Sequence, residues 1–192
     1  MILRGPTLVS LPFSRRADKV KTPLCEFCLK SGILCPKCQG KVNSGEISEG
    51  DVRIARMLLK ISERYPSLQN ISFHKSYEID GVIAIVVDRG DLPHLLGYSG
   101  KILRELDEVT GKKVRVLEEG VDARKFLEDL FAPSGIASLN TIWLPDGSTE
   151  TRVILSGPAR RLPIDVETLK VLAEKIRGIT IRVEFEIPRR QM

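Results

Sequence analysis

Val82-Ile83-Ala84-Ile85-Val86-Val87 is an unbroken apolar run rich in β-branched residues, and it predicts a short buried strand. Asp91-Leu92-Pro93-His94-Leu95-Leu96 follows as one short turn of helix. Beyond Gly97-Tyr98-Ser99-Gly100, apolar residues recur at helical spacing as Ile102, Leu103, Leu106 and Val109, until Gly111 stops the helix. Val114-Arg115-Val116 then alternates as a strand. Upstream, Ser48 and Asp51 stand at capping-box spacing before a helix with Ile54, Met57, Leu58, Ile61 and Tyr65 on one face. Pro66 ends that helix. Ile71 to Ile79 reads as a strand, with Asp80-Gly81 as its hairpin turn.

The pattern then recurs. Asp122 caps a helix carrying Ala123, Phe126, Leu127 and Leu130. Leu139 to Leu144 reads as a strand, with Trp143 assigned to the core. Asp146-Gly147 turns into a strand over Thr151 to Leu155. Asp165 caps a helix of Leu169, Leu172, Ala173 and Ile176, Gly178 ends it, and Ile179 to Ile187 closes the unit. Gly81 to Gly147 spans 66 residues, while Gly111 to Gly178 and Val114-Arg115-Val116 to Ile181-Arg182-Val183 both span 67. Turn, helix stop and strand kept in one register predict an α+β protein with two copies of an α-β-β-α-β unit, over residues 50–120 and 121–188. That order is the prokaryotic (type II) arrangement of KH domains.

Charge changes the picture mainly at the start of the chain. The net charge is +5, and residues 1–50 hold eight Lys or Arg against four Asp or Glu. Residues 1–23, with Pro6, Pro12, Pro23 and several cations, show no helical period and read as a basic extended arm. A basic segment beside nearly neutral modules points to a polyanionic partner. No run approaches the ~18 apolar residues of a membrane span and no signal sequence is evident, so the expected location is cytoplasmic, with no membrane partner.

All four cysteines fall within residues 24–42, as Cys25-x-x-Cys28 and Cys35-x-x-Cys38 separated by six residues. Paired Cys-x-x-Cys turns can complete a tetrahedral thiolate site. The short connection favours a compact knuckle pair over a ribbon. We expect one structural zinc ion, with iron as the other fit to four thiolates. A piece this small and polar is expected to have no core without its metal. Disulfides do not suit a reducing cytosol. A thioredoxin-like redox pair is disfavoured because neither Cys-x-x-Cys opens a helix of a βαβ pattern. Residues 41–50 read as a linker.

Gly97-Tyr98-Ser99-Gly100 sits between two helices, where backbone amides at a helix start favour phosphate. In this context the loop matches the G-x-x-G clamp of a KH domain, which holds a single-stranded nucleic-acid backbone. With Tyr98 and Ser99 in the middle, the charge is expected from Lys101, Arg104, Lys112 and Lys113. In the second unit Pro163-Ile164-Asp165-Val166 occupies the clamp register, so that unit is expected to lack a grip.

The tandem units, with Gly111-Lys112-Lys113-Val114-Arg115-Val116 after the first clamp and Phe126-Leu127-Glu128-Asp129-Leu130-Phe131-Ala132-Pro133 leading into the second, resemble the archaeal NusA-like proteins over roughly residues 50–190. The resemblance implies a non-catalytic RNA-binding factor of transcription elongation or termination, working with RNA polymerase. The cysteine module is an addition to that pattern. The alternative is a ribosome-associated or ribosomal small-subunit protein bound to rRNA, which the basic arm and cysteines favour. An enzyme acting on a small-molecule substrate is not expected: there is no P-loop, and His74 and His94 read as structural or surface residues.

Overall fold

The computed structural model describes residues 20–157 and 162–186. Two helices come first, α1 (Glu26–Ser31) and α2 (Pro36–Asn43), then α3 (Glu49–Ser62), strands β1 (Phe73–Ile79) and β2 (Val82–Val87), α4 (Leu92–Leu96), α5 (Lys101–Thr110) and β3 (Lys113–Glu118). The second half runs α6 (Ala123–Phe131), β4 (Ile136–Trp143), β5 (Thr149–Leu155), α7 (Val166–Arg177) and β6 (Ile181–Phe185). The chain is therefore a mixed α+β protein with two three-stranded sheets, ordered β1-β2-β3 and β4-β5-β6. In each, the first pair is antiparallel and the second parallel, so the internal repeat holds at the level of topology.

Every residue of β2 is buried, because both faces of its sheet are covered. Ile83, Ile85 and Val87 join a core with α3, α4 and α5. Val82 and Ala84 point the other way, into a core with Phe126, Leu130, Leu169 and Leu172. A strand covered on both faces has no position for a polar side chain, which is why its sequence does not alternate.

Ser48 and Asp51 form the expected capping box: Asp51 N donates to Ser48 Oγ at 3.0 Å and Ser48 N to Asp51 Oδ2 at 2.8 Å. Asp51 does more than cap. It is 1% exposed, and its Oδ1 accepts from Ser76 N at 2.5 Å and Ser76 Oγ at 2.7 Å. One buried carboxylate thus joins the start of α3 to the middle of β1.

Several expectations need correction. Trp143 is 76% exposed. It lies on the same face of β4 as Leu139, but the core ends at Leu139. Val109, placed on the apolar stripe of α5, is 59% exposed. The cysteine segment is not coreless: Leu24, Cys28, Leu29 and Cys38 are buried in the same cluster as Val52, Ala55 and Leu58 of α3. The linker is short and pinned, since α2 runs to Asn43 and Ile47 is 2% exposed. Of the basic arm, residues 1–19 lie outside the described residues. Its last part is ordered: Lys21 N donates to the Ile71 carbonyl and Phe73 N to the Lys21 carbonyl, each at 2.8 Å.

Replacing Asp51 by Ala would strand the buried amide of Ser76 and uncap α3. We expect a loss of about 2–4 kcal/mol, measured by urea denaturation, with a smaller loss for Asp51→Asn.

Candidate nucleic-acid loop and candidate metal centre

The loop between α4 and α5 contains no regular helix geometry. Tyr98 and Ser99 both have φ of +55°, and Gly100 has φ of +73°. Two consecutive non-glycine residues in the left-handed region are costly, so something must hold them. At Gly97 the backbone is unstrained, and a Cβ there would just touch the carbonyl of His94, at 3.4 Å.

Three contacts hold the loop itself, and three more fix the elements beside it. Arg104 Nη2 donates to the Ser99 carbonyl at 2.7 Å and its Nε to the Gly100 carbonyl at 3.5 Å. The ring of Tyr98 packs on that of Tyr65, with centroids 5.2 Å apart. Beside them, Arg64 pairs with Glu105, tying the end of α3 to α5. Below, buried Glu118 accepts from Gly90 N at 2.8 Å and Leu92 N at 3.3 Å, fixing the start of α4. Tyr98 stays 51% exposed, and Lys101 is exposed at the first turn of α5.

The structure thus brings Gly97, Tyr98, Ser99, Gly100, Lys101 and Arg104 together, although Arg104 is turned inward as a brace. Lys112 and Lys113 are elsewhere. They follow the C-terminal end of α5, about 15 Å along the helix from the loop. Lys112 pairs with Glu78, and Lys113 with Asp107 at 3.1 Å. Tyr65 and Glu118 went unrecognised as loop supports. Tyr65 looked like one more apolar position, and Glu118 reaches α4 across a separation of 26 residues. In the second unit, Asp165 accepts from Glu167 N at 3.0 Å and Thr168 N at 2.9 Å, and Ile164 is buried. A carboxylate thus caps the start of α7, whereas the start of α5 has no side-chain cap.

The four cysteine sulfurs lie within 4.8 Å of one another and could bind a metal ion. Each Cys-x-x-Cys opens a helix after all: Cys25 is the residue before α1 and Cys35 the residue before α2. No strand lies between these helices, so the redox βαβ pattern is still missing. Backbone amides point at the sulfurs, Cys35 N to Cys28 Sγ at 3.0 Å and Cys25 N to Cys38 Sγ at 3.5 Å. All four are free thiols, and Cys25 Sγ and Cys28 Sγ are 3.3 Å apart.

The thiols of this cluster differ electrostatically. The amide of Cys38 and the thiol of Cys28 draw Cys35 down to about 7. The amide of Cys35 favours a Cys28 thiolate, yet burial and the three neighbouring thiols outweigh it and push Cys28 up to about 12. One thiolate forms readily, and the next must share its space. A metal cation removes that conflict by compensating all of them.

No family model matches the chain. A protein of Methanocaldococcus jannaschii described as "Probable transcription termination protein NusA" is 34% identical over 65 residues, which is 34% of this chain and 34% of that protein. The match therefore spans about a third of the relative. A solved structure, that of APE1850, is 18% identical with a TM-score of 0.43, covering 67% of this chain and 96% of that one; the likeness is too slight to assign a fold. The sequence match points to a NusA-type, transcription-related relative.

Proposed function

We propose that the chain is a non-catalytic RNA-binding protein of NusA type. Residues 50–120 and 121–188 are its two type II KH units, and the first grips single-stranded RNA. The observation that carries this reading is the strained loop Gly97-Tyr98-Ser99-Gly100, which is braced from within by Arg104 and Tyr65 and ends at the exposed Lys101 on the first turn of α5. The loop amides and Lys101 take the sugar-phosphate chain, and the exposed ring of Tyr98 offers a surface on which a base can stack. The relative's name bears on transcription, which favours RNA polymerase over the small ribosomal subunit as host. Among the described residues no helix is long and apolar enough to cross a membrane.

Cys25, Cys28, Cys35 and Cys38 hold one structural zinc ion in this reading. Four protein sulfurs complete a tetrahedral shell and leave no open position for chemistry. The ion's part is to fix α1 and α2 against α3, so that the module widens the first unit.

Replacing Tyr98 and Ser99 together by Asp should weaken binding to a single-stranded RNA oligonucleotide by at least about tenfold, roughly 1.4 kcal/mol, with the thermal melt unchanged. Unchanged affinity in the folded double variant would remove the loop from RNA binding.

Elemental analysis should give close to one zinc per chain. Because the cysteine segment shares its core with α3, chelation should lower the melting temperature of the first unit as well as loosen residues 24–42. Stoichiometric iron, or metal-free protein of equal stability, would contradict the zinc assignment.

A further inference from the structure

We propose a second ligand site at the far end of α5, which takes a nucleotide through both its phosphate and its base. It extends the RNA-binding reading by adding a contact away from the loop, and it stands on different residues.

A cavity of about 620 Å³ opens between α3, the edge strand β1 and the end of α5, within the roughly 300–1,000 Å³ usual for ligand pockets. Four cations line it, Arg53, Lys75, Lys112 and, from α7, Lys175. Glu78 is the single carboxylate in the lining, and it is shared: Arg53 Nη2 lies 3.3 Å from it and Lys112 pairs with it too. Those two cations hold Glu78 below the usual carboxylate range, Lys112 most of all. Four cations less one carboxylate leave an excess of three positive charges. Lys75 Nζ sits over the Tyr77 ring, 5.9 Å from its centroid, and Lys175 has no ion-pair partner among the described residues. Asp51 lies close by, but both its oxygens are committed to Ser48 and Ser76.

The rest of the lining is apolar. Ile54 and Ile83 are 3% and 5% exposed, while Val109, on the stripe that α5 otherwise buries, is 59% exposed. Met57 completes this surface, while the Tyr77 ring lines the cavity from the other face of β1, where it packs against the second core. Val109 is thus a core-register residue that faces a void. A small inorganic anion would use the cations and leave this wall bare. A carboxylate-bearing peptide would repeat what Glu78 already does. A nucleotide matches both halves, with phosphate oxygens for Arg and Lys and a flat base for the apolar wall. The nucleotide is either free or part of a bound RNA strand, the chemistry being the same.

Calorimetry on the full chain with adenosine monophosphate, inorganic phosphate and adenosine tests the site. A single site should bind adenosine monophosphate at least about tenfold tighter than either fragment. Val109→Glu and Lys175→Glu, both at exposed positions, should each weaken it by a similar factor, while Tyr98→Asp with Ser99→Asp should leave it intact. A twelve-nucleotide single-stranded RNA that displaces the mononucleotide identifies the strand as the source; failure to displace it identifies the free nucleotide. If the mononucleotide does not bind but both variants weaken the RNA complex tenfold, the strand is again the ligand. Inorganic phosphate binding as tightly as adenosine monophosphate would overturn the proposal, as would polyglutamate binding more tightly. So would RNA affinity indifferent to both variants in a protein that ignores the mononucleotide. Loop variants that lose RNA while the mononucleotide still binds separate this site from the loop.

Discussion

The structure depends on β2 being buried on both faces. One face of Val82–Val87 meets the helices of the first half and the other meets those of the second. Apolar burial is worth about 25 cal/mol per Å², so a six-residue strand with no exposed position is a large fixed term. Every other element is set relative to it. The parallel partner β3 must follow a crossover, and α4, the loop and α5 are that crossover. The loop is therefore carried between two helices whose buried residues pack on the best-buried strand among the described residues, which is a rigid support for a strained backbone.

Strain at Tyr98 and Ser99 makes sense only with that rigidity. Left-handed backbone at two non-glycine residues costs of order 1–3 kcal/mol each, and a short hydrogen-bonded brace is needed to offset it. Arg104 supplies the brace by donating to two loop carbonyls. With those carbonyls occupied, and the amides of Gly100 and Lys101 donating to the carbonyls of Gly97 and Tyr98, the loop is closed on itself and the start of α5 carries no side-chain cap. The second unit reaches the opposite result with the same topology, because Asp165 spends its carboxylate on the amides at the start of α7.

Much of this was legible along the chain. Strands, caps and the repeat follow from period, Asp and Gly positions, since those are local signals. Asp51 was visible as a cap but not as a staple to Ser76, which lies 25 residues away. Trp143 and Val109 were misplaced for one reason: period places a residue on a face but does not say where the cover over that face stops. The cysteine segment was misjudged in the opposite direction. Its few apolar residues look inadequate alone, yet they complete a core that α3 leaves open.

Charge shows the same limit most clearly. Proximity in sequence assigned Arg104, Lys112 and Lys113 to one grip. The helix between them separates Arg104 from the two lysines, and each of the three has its own local engagement. At the loop, then, the exposed Lys101 is left as the outward cation. Backbone contacts fix geometry without reading bases, so the proposed grip on RNA is tolerant of sequence. On the proposed reading, any preference among RNAs comes from side chains that meet a base, and Tyr98 is the exposed aromatic residue of the loop.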